Sequence, residues 1–94
     1  MKIYKYPIKF IPNEPTLLVL QGELLSFNVQ YNNIVCYATY SELGRKNTYE
    51  IILCETGAET NNIGDKTYMG TLVLNNGMYI LHAFAKLVET EVHI

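Results

Sequence analysis

The chain has 94 residues, 49% of them hydrophobic and 17% charged, with six Gly and three Pro. That composition excludes a disordered, collagen-like or low-complexity chain and sets the expectation of one domain spanning 1–94. Seven Lys/Arg against nine Asp/Glu give a net charge of −2, which disfavours a protein that tracks the phosphates of polymeric nucleic acid.

Period-2 patterning with β-branched and aromatic residues runs through the chain, and no long stretch of 3.6-residue period interrupts it. The first predicted strand is Lys2 to Ile8, and Pro7, which cannot donate to a ladder, places it at a sheet edge or marks its end. Pro12 and Pro15 bracket a short connection to a second strand, Thr16 to Leu20, which stops at Gln21-Gly22-Glu23. Next, Leu25, Phe27, Val29 and Tyr31 alternate with Ser26, Asn28 and Gln30, giving one apolar and one polar face. Asn32-Asn33 is the expected two-residue turn, because Asn tolerates positive φ. Ile34 to Tyr40 returns as a nearly continuous apolar strand, and Thr48 to Cys54 follows the bend at 41–47, so a three-stranded meander is expected.

Glu55 to Thr67 is polar apart from Ala58 and Ile63, and it is longer than most connections, a length common in functional loops. Tyr68 to Leu74 and Met78 to Lys86 form a second predicted hairpin through Asn75-Asn76-Gly77, and 87–94 alternates weakly enough to add an eighth strand. Seven to eight short antiparallel strands predict an all-β fold, a small sandwich or barrel-like sheet. A chain this small, half apolar and sparsely charged, has difficulty covering its own hydrophobic surface, so a closed homo-oligomer is expected. No apolar run reaches the roughly 20 residues needed to span a bilayer, and the opening Met1-Lys2-Ile3-Tyr4-Lys5 lacks signal-peptide character. A cytoplasmic protein without a membrane partner is the expectation.

Cys36 and Cys54 sit in apolar runs and read as reduced core thiols on neighbouring strands. With only His82 and His93 to join them, no metal site is expected. His82 shares a strand face with Ile80 and Phe84, which makes a satisfied core residue the simpler reading and a ligand contact the other. His93 reads as solvated, as do Glu55 and Glu59, the two acids that flank 56–58. No nucleophile elbow, phosphate loop or dinucleotide fingerprint is present, so neither catalysis nor a cofactor is expected.

Binding is the stronger expectation. Thr56 and Gly57 follow a strand directly and offer a hydroxyl and open backbone N–H groups, which can cradle an anion without net positive charge. Asn61 and Asn62 add donors, Lys66 or Arg45 would supply charge, Tyr68 would stack on a ring, and His82 is a further candidate.

The opening Ile3-Tyr4-Lys5-Tyr6-Pro7-Ile8 resembles the start of a family of short, functionally unassigned proteins from bacteriophage genomes. Leu24 to Gln30, Ile34 to Ala38, Tyr68-Met69-Gly70-Thr71 and the His82-Ala83-Phe84 ending of the last hairpin are similar to that family in register. Where the family tends to carry Gly-Thr-Gly-His, this chain has Thr56 and Gly57 but Ala58 in place of the His. The resemblance implies phage origin and a compact β fold, and assigns no activity. By analogy with small phage proteins that sequester nucleotide signals of host immunity, it favours a non-enzymatic protein that captures a small anionic ligand of nucleotide type. An inhibitor or virion component acting through protein–protein contact is the alternative, and an enzyme acting on nucleotides is the third reading.

Overall fold

The structure, a computed structural model, describes residues 1–92; His93 and the end of the predicted eighth strand lie outside them. Among the described residues, seven strands form two antiparallel sheets: β1 (Lys2–Pro7), β2 (Thr16–Leu20), β3 (Leu24–Gln30), β4 (Asn33–Tyr40), β5 (Asn47–Glu55), β6 (Thr67–Leu74) and β7 (Tyr79–Thr90). One sheet has the order β1-β4-β3 and the other β2-β5-β7-β6. They face each other as an open sandwich. Its core takes Phe27, Ile34 and Cys36 from the first sheet and Ile51, Leu53, Leu72, Leu74, Leu81, Ala83 and Ala85 from the second. The all-β expectation holds in its sandwich form, and the sheets do not close into a barrel.

Each continuous apolar run in the sequence becomes a central strand. β4 lies between β1 and β3, and β5 between β2 and β7, where both faces are shielded. Ile51, Ile52, Leu53 and Cys54 are accordingly all buried. Pro7 is both the last residue of an edge strand and the point where β1 leaves its ladder.

The predicted meander is not formed. β3 and β4 are a hairpin, but β5 crosses to the second sheet and pairs with β2 and β7. The crossing is tied at Gly22, whose backbone lies so close to β4 that an added Cβ would stand 1.9 Å from the Thr39 carbonyl oxygen. Asn47 Nδ2 donates to the Gly22 carbonyl at 2.6 Å and fastens the start of β5 to the same corner. Two smaller corrections follow from irregular pairing. A bulge between Leu24 and Ser26 turns Leu24 inward and leaves Leu25 exposed, so the apolar alternation begins one residue away from where the pattern placed it. The hairpin turn is Tyr31-Asn32, both at positive φ (50° and 62°), with Asn33 already paired to Gln30.

The β6–β7 hairpin turns through Asn75–Gly77 as expected. Residues 87–90 do not form a separate strand: they extend β7 to 12 residues and pair with the start of β5. Cys36 and Cys54 are both buried free thiols, yet they lie in different sheets rather than on neighbouring strands.

Candidate functional site

β5 and β6 run parallel with β7 between them, so the segment 56–66 must travel back along the sheet to reach β6. It does so as a strap pinned at several points. Lys66 Nζ meets Glu50 Oε1 at 2.7 Å and donates to the Asn62 carbonyl at 2.8 Å. Asp65 Oδ1 accepts from Lys86 Nζ at 2.8 Å. Hydrogen bonds to Lys66 and Lys86 hold the carboxyls of Glu50 and Asp65, respectively, below their ordinary range. Under this strap lie Ile52 and Cys54, on the face of β5 turned away from the core and still only 2% exposed.

The strap's first residues join a polar row across the outer face of the second sheet. Register sets the row: Cys54 of β5 and Thr71 of β6 both stand opposite His82 of β7. Leu81 and Ala83 fill the core, so His82 faces outward. It shares that face with Ile80 and Phe84, as the alternation predicts, but it is not the core residue that its apolar neighbours suggested. Thr56 lies two residues beyond Cys54 on the same face, and its Oγ1 is 2.8 Å from His82 Nε2. On the other side, Thr71 Oγ1 is 3.1 Å from His82 Nδ1. Thr71 Oγ1 also bonds the hydroxyl of Tyr68. Four side chains from three segments thus form one hydrogen-bonded chain, Tyr68–Thr71–His82–Thr56.

A bulge makes the chain possible. Residues three apart on a regular strand point to opposite faces, but the register shift between Tyr68 and Gly70 places Tyr68 opposite Phe84 and Thr71 opposite His82, both outward. Gly70 carries the bulge at φ +117°, a conformation L side chains rarely adopt.

The predicted site residues divide. Thr56, Tyr68 and His82 come together, and Gly57 continues from Thr56 at φ +86° with open space around its Cα. Tyr68 packs its ring against Phe84 (centroids 5.5 Å apart), so it joins through its hydroxyl rather than as a free stacking face. Asn61 is exposed on the strap, and Asn62 reaches the Asn13 carbonyl at 3.5 Å. Lys66 is not available to a ligand: its side chain is 4% exposed and committed to Glu50. Arg45 precedes β5 whereas Thr56 follows it, a separation of about 30 Å at roughly 3.3 Å per strand residue.

Two participants went unread in the sequence. Thr71 becomes visible only once Gly70 is taken as a bulge. Asn13, at φ 68°, clamps the end of β5: its N–H donates to the Leu53 carbonyl (2.8 Å), its Oδ1 accepts from Glu55 N–H (2.8 Å), and its Nδ2 donates to Glu55 Oε1 (2.7 Å). The Glu55 carboxylate also bonds Tyr79; burial first, and then that bond, raises the Tyr79 hydroxyl above its ordinary range. Glu55 is therefore a braced structural acid, and a small cavity of about 180 Å³ lies beside it, between Thr56 and Tyr79.

Among the described residues, no three His, Cys, Asp or Glu side chains stand close enough to hold a metal ion, and no helix is long and apolar enough to cross a membrane. No curated protein and no solved structure matches the chain. Residues 1–93 match a family described as a domain of unknown function (DUF7352), consistent with the resemblance to a functionally unassigned family, and the chain belongs to that family.

Proposed function

We propose that this chain is a non-enzymatic binding protein that captures a small anionic ligand at Thr56 and His82. The carrying observation is the imidazole held between two hydroxyls on an exposed sheet face, with the open Gly57 backbone next to Thr56. The Thr56 hydroxyl and the open Gly57 backbone can donate to an oxyanion. His82, whose two ring nitrogens are engaged by Thr56 and Thr71, holds that hydroxyl in place, while Lys66, neutralised by Glu50, supplies no charge. Binding is favoured over catalysis because the ring partner at Nδ1 is a threonine, where a general base is usually oriented by a carboxylate. In this reading the protein is of phage origin, works as a homo-oligomer in the host cytoplasm, and sequesters a nucleotide-type immune signal.

The test is thermal unfolding against a panel of linear and cyclic nucleotides, for the wild type, His82→Ala and Thr56→Val. A ligand present at 100 times its Kd stabilises by about 2.7 kcal/mol, an easily read shift. One nucleotide class should give that shift in the wild type and lose it in both variants, and the ligand should be recovered intact after denaturation. No shift from any nucleotide overturns the proposal, and recovery of a converted ligand replaces it with an enzyme.

One observation favours the alternative, contact with a protein. Edge strand β2 carries no charge and exposes Leu17 (64%) and Val19 (58%), without the lysines or prolines that usually blunt an edge. Co-purification of a stoichiometric host protein, lost on Leu17→Lys, would support it.

A further inference from the structure

The polar row restricts its own hydrogens in a way that specifies the ligand. Thr71 has one hydroxyl hydrogen and two partners, Tyr68 and His82 Nδ1. A neutral imidazole likewise has one N–H and one lone pair. With Thr71's one hydrogen spent on either of these partners, donation runs one way or the other along the whole chain. In the first direction Tyr68 donates to Thr71, Thr71 to Nδ1, and Nε2–H to Thr56, whose own O–H is left pointing outward. In the second, Thr56 donates to Nε2, Nδ1–H to Thr71, and Thr71 to Tyr68, so that Thr56 presents only lone pairs.

We infer that Tyr68–Thr71–His82–Thr56 is a directional relay that presents a donor at Thr56, selects an ionised oxyanion such as a phosphate ester over amines, and makes Tyr68 a positioning residue for it. The inference rests on the binding reading above and names its ligand chemistry. A phenol is a better hydrogen-bond donor than acceptor, because its oxygen lone pair is drawn into the ring. Tyr68 therefore biases the chain in the first direction before any ligand arrives. Bonds aligned head to tail polarise one another, so an acceptor at Thr56 strengthens each bond behind it. Tyr68 acts here through two intervening side chains. Its burden is carried by Gly70, whose bulge turns Tyr68 and Thr71 to the same face.

The experiment is long-range ¹H–¹⁵N NMR of histidine-labelled protein at a pH where the ring is neutral, with the His82 signals assigned by their loss in His82→Gln. Adenosine monophosphate is the probe. The wild type should favour the Nε2–H tautomer, and the probe should complete that preference. Tyr68→Phe should shift the free protein toward Nδ1–H and weaken the probe about two- to tenfold, the range of one ordinary hydrogen bond. Thr71→Val cuts the same chain in its middle and should move the tautomer in the same sense, which guards against a folding defect in either variant alone. Identical His82 nitrogen shifts in the wild type, Tyr68→Phe and Thr71→Val overturn the relay, whether or not the probe binds. A tautomer that responds to Tyr68→Phe in a protein that no phosphate ester binds keeps the relay and overturns the binding reading instead.

Discussion

Gly70→Ala tests the link between backbone and site most sharply. At φ +117° an alanine is strained, yet its Cβ would meet nothing within 4 Å, so the penalty is conformational and not a clash. Such strain amounts to about 1–3 kcal/mol, a large share of the roughly 5–15 kcal/mol that holds a domain of this size folded. At about 4–8 °C per kcal/mol, the midpoint of thermal unfolding should fall by roughly 4–24 °C. Straightening the bulge relieves the strain. That slip turns Tyr68 away from Thr71 and separates both from the register seen opposite Phe84 and His82. Urea unfolding gives the stability change, and the His82 ring nitrogens report the site. A loss below about 0.5 kcal/mol with unchanged His82 resonances would refute the claim that the bulge holds the polar row together.

Other outcomes follow from the same geometry. Leu81→Ala removes a side chain that is 0% exposed and should destabilise by about 2–5 kcal/mol in urea unfolding. Gly22→Ala, which drives a Cβ to 1.9 Å from the Thr39 carbonyl, should be more damaging than Gly57→Ala, where nothing lies within 4 Å; matched thermal midpoints would contradict the close approach. Cys36 is fully buried, and burial pushes its thiol up to about 11, so iodoacetamide at pH 8 should label it only after unfolding, as read by mass spectrometry. Glu50 and Asp65 titrate below their ordinary range in the folded chain, so what they add to the strap is present above about pH 4 and is lost as pH falls through their folded values. The protection factors of amides in 56–66, taken against intrinsic rates at each pH, should therefore fall in acid before those of the core, and Lys66→Met should lower them already at neutral pH.

Local chemistry made some of this fold legible in advance. Pro7 announced an edge or a strand end, the apolar run closing Thr48 to Cys54 announced a strand, and Asn75-Asn76-Gly77 announced the last turn. What stayed hidden was non-local. Nothing in the bend at 41–46 says that β5 changes sheets, because that depends on the close approach of Gly22 to Thr39. His82 read as a core residue because alternation tells which residues share a face, not which face is inward; the inward side is decided by Leu81, Ala83 and Ala85. Lys66 read as a ligand charge because its partner Glu50 lies on another strand, and Arg45 entered the same list although β5 separates it from Thr56. Thr71 and Asn13 were missed for the same reason: a bulge and a left-handed turn give each its role, and neither is carried by hydrophobic pattern.

The central claim is that Thr56 and His82 receive a small anion. The most direct measurement is a titration of ¹⁵N-labelled protein with adenosine monophosphate at low salt, followed residue by residue in amide spectra. The account predicts saturable shifts centred on Thr56, Gly57, Thr71 and His82, abolished by His82→Ala. Spectra that stay still throughout the titration, or that move instead around Arg45 at the far end of β5, would contradict it.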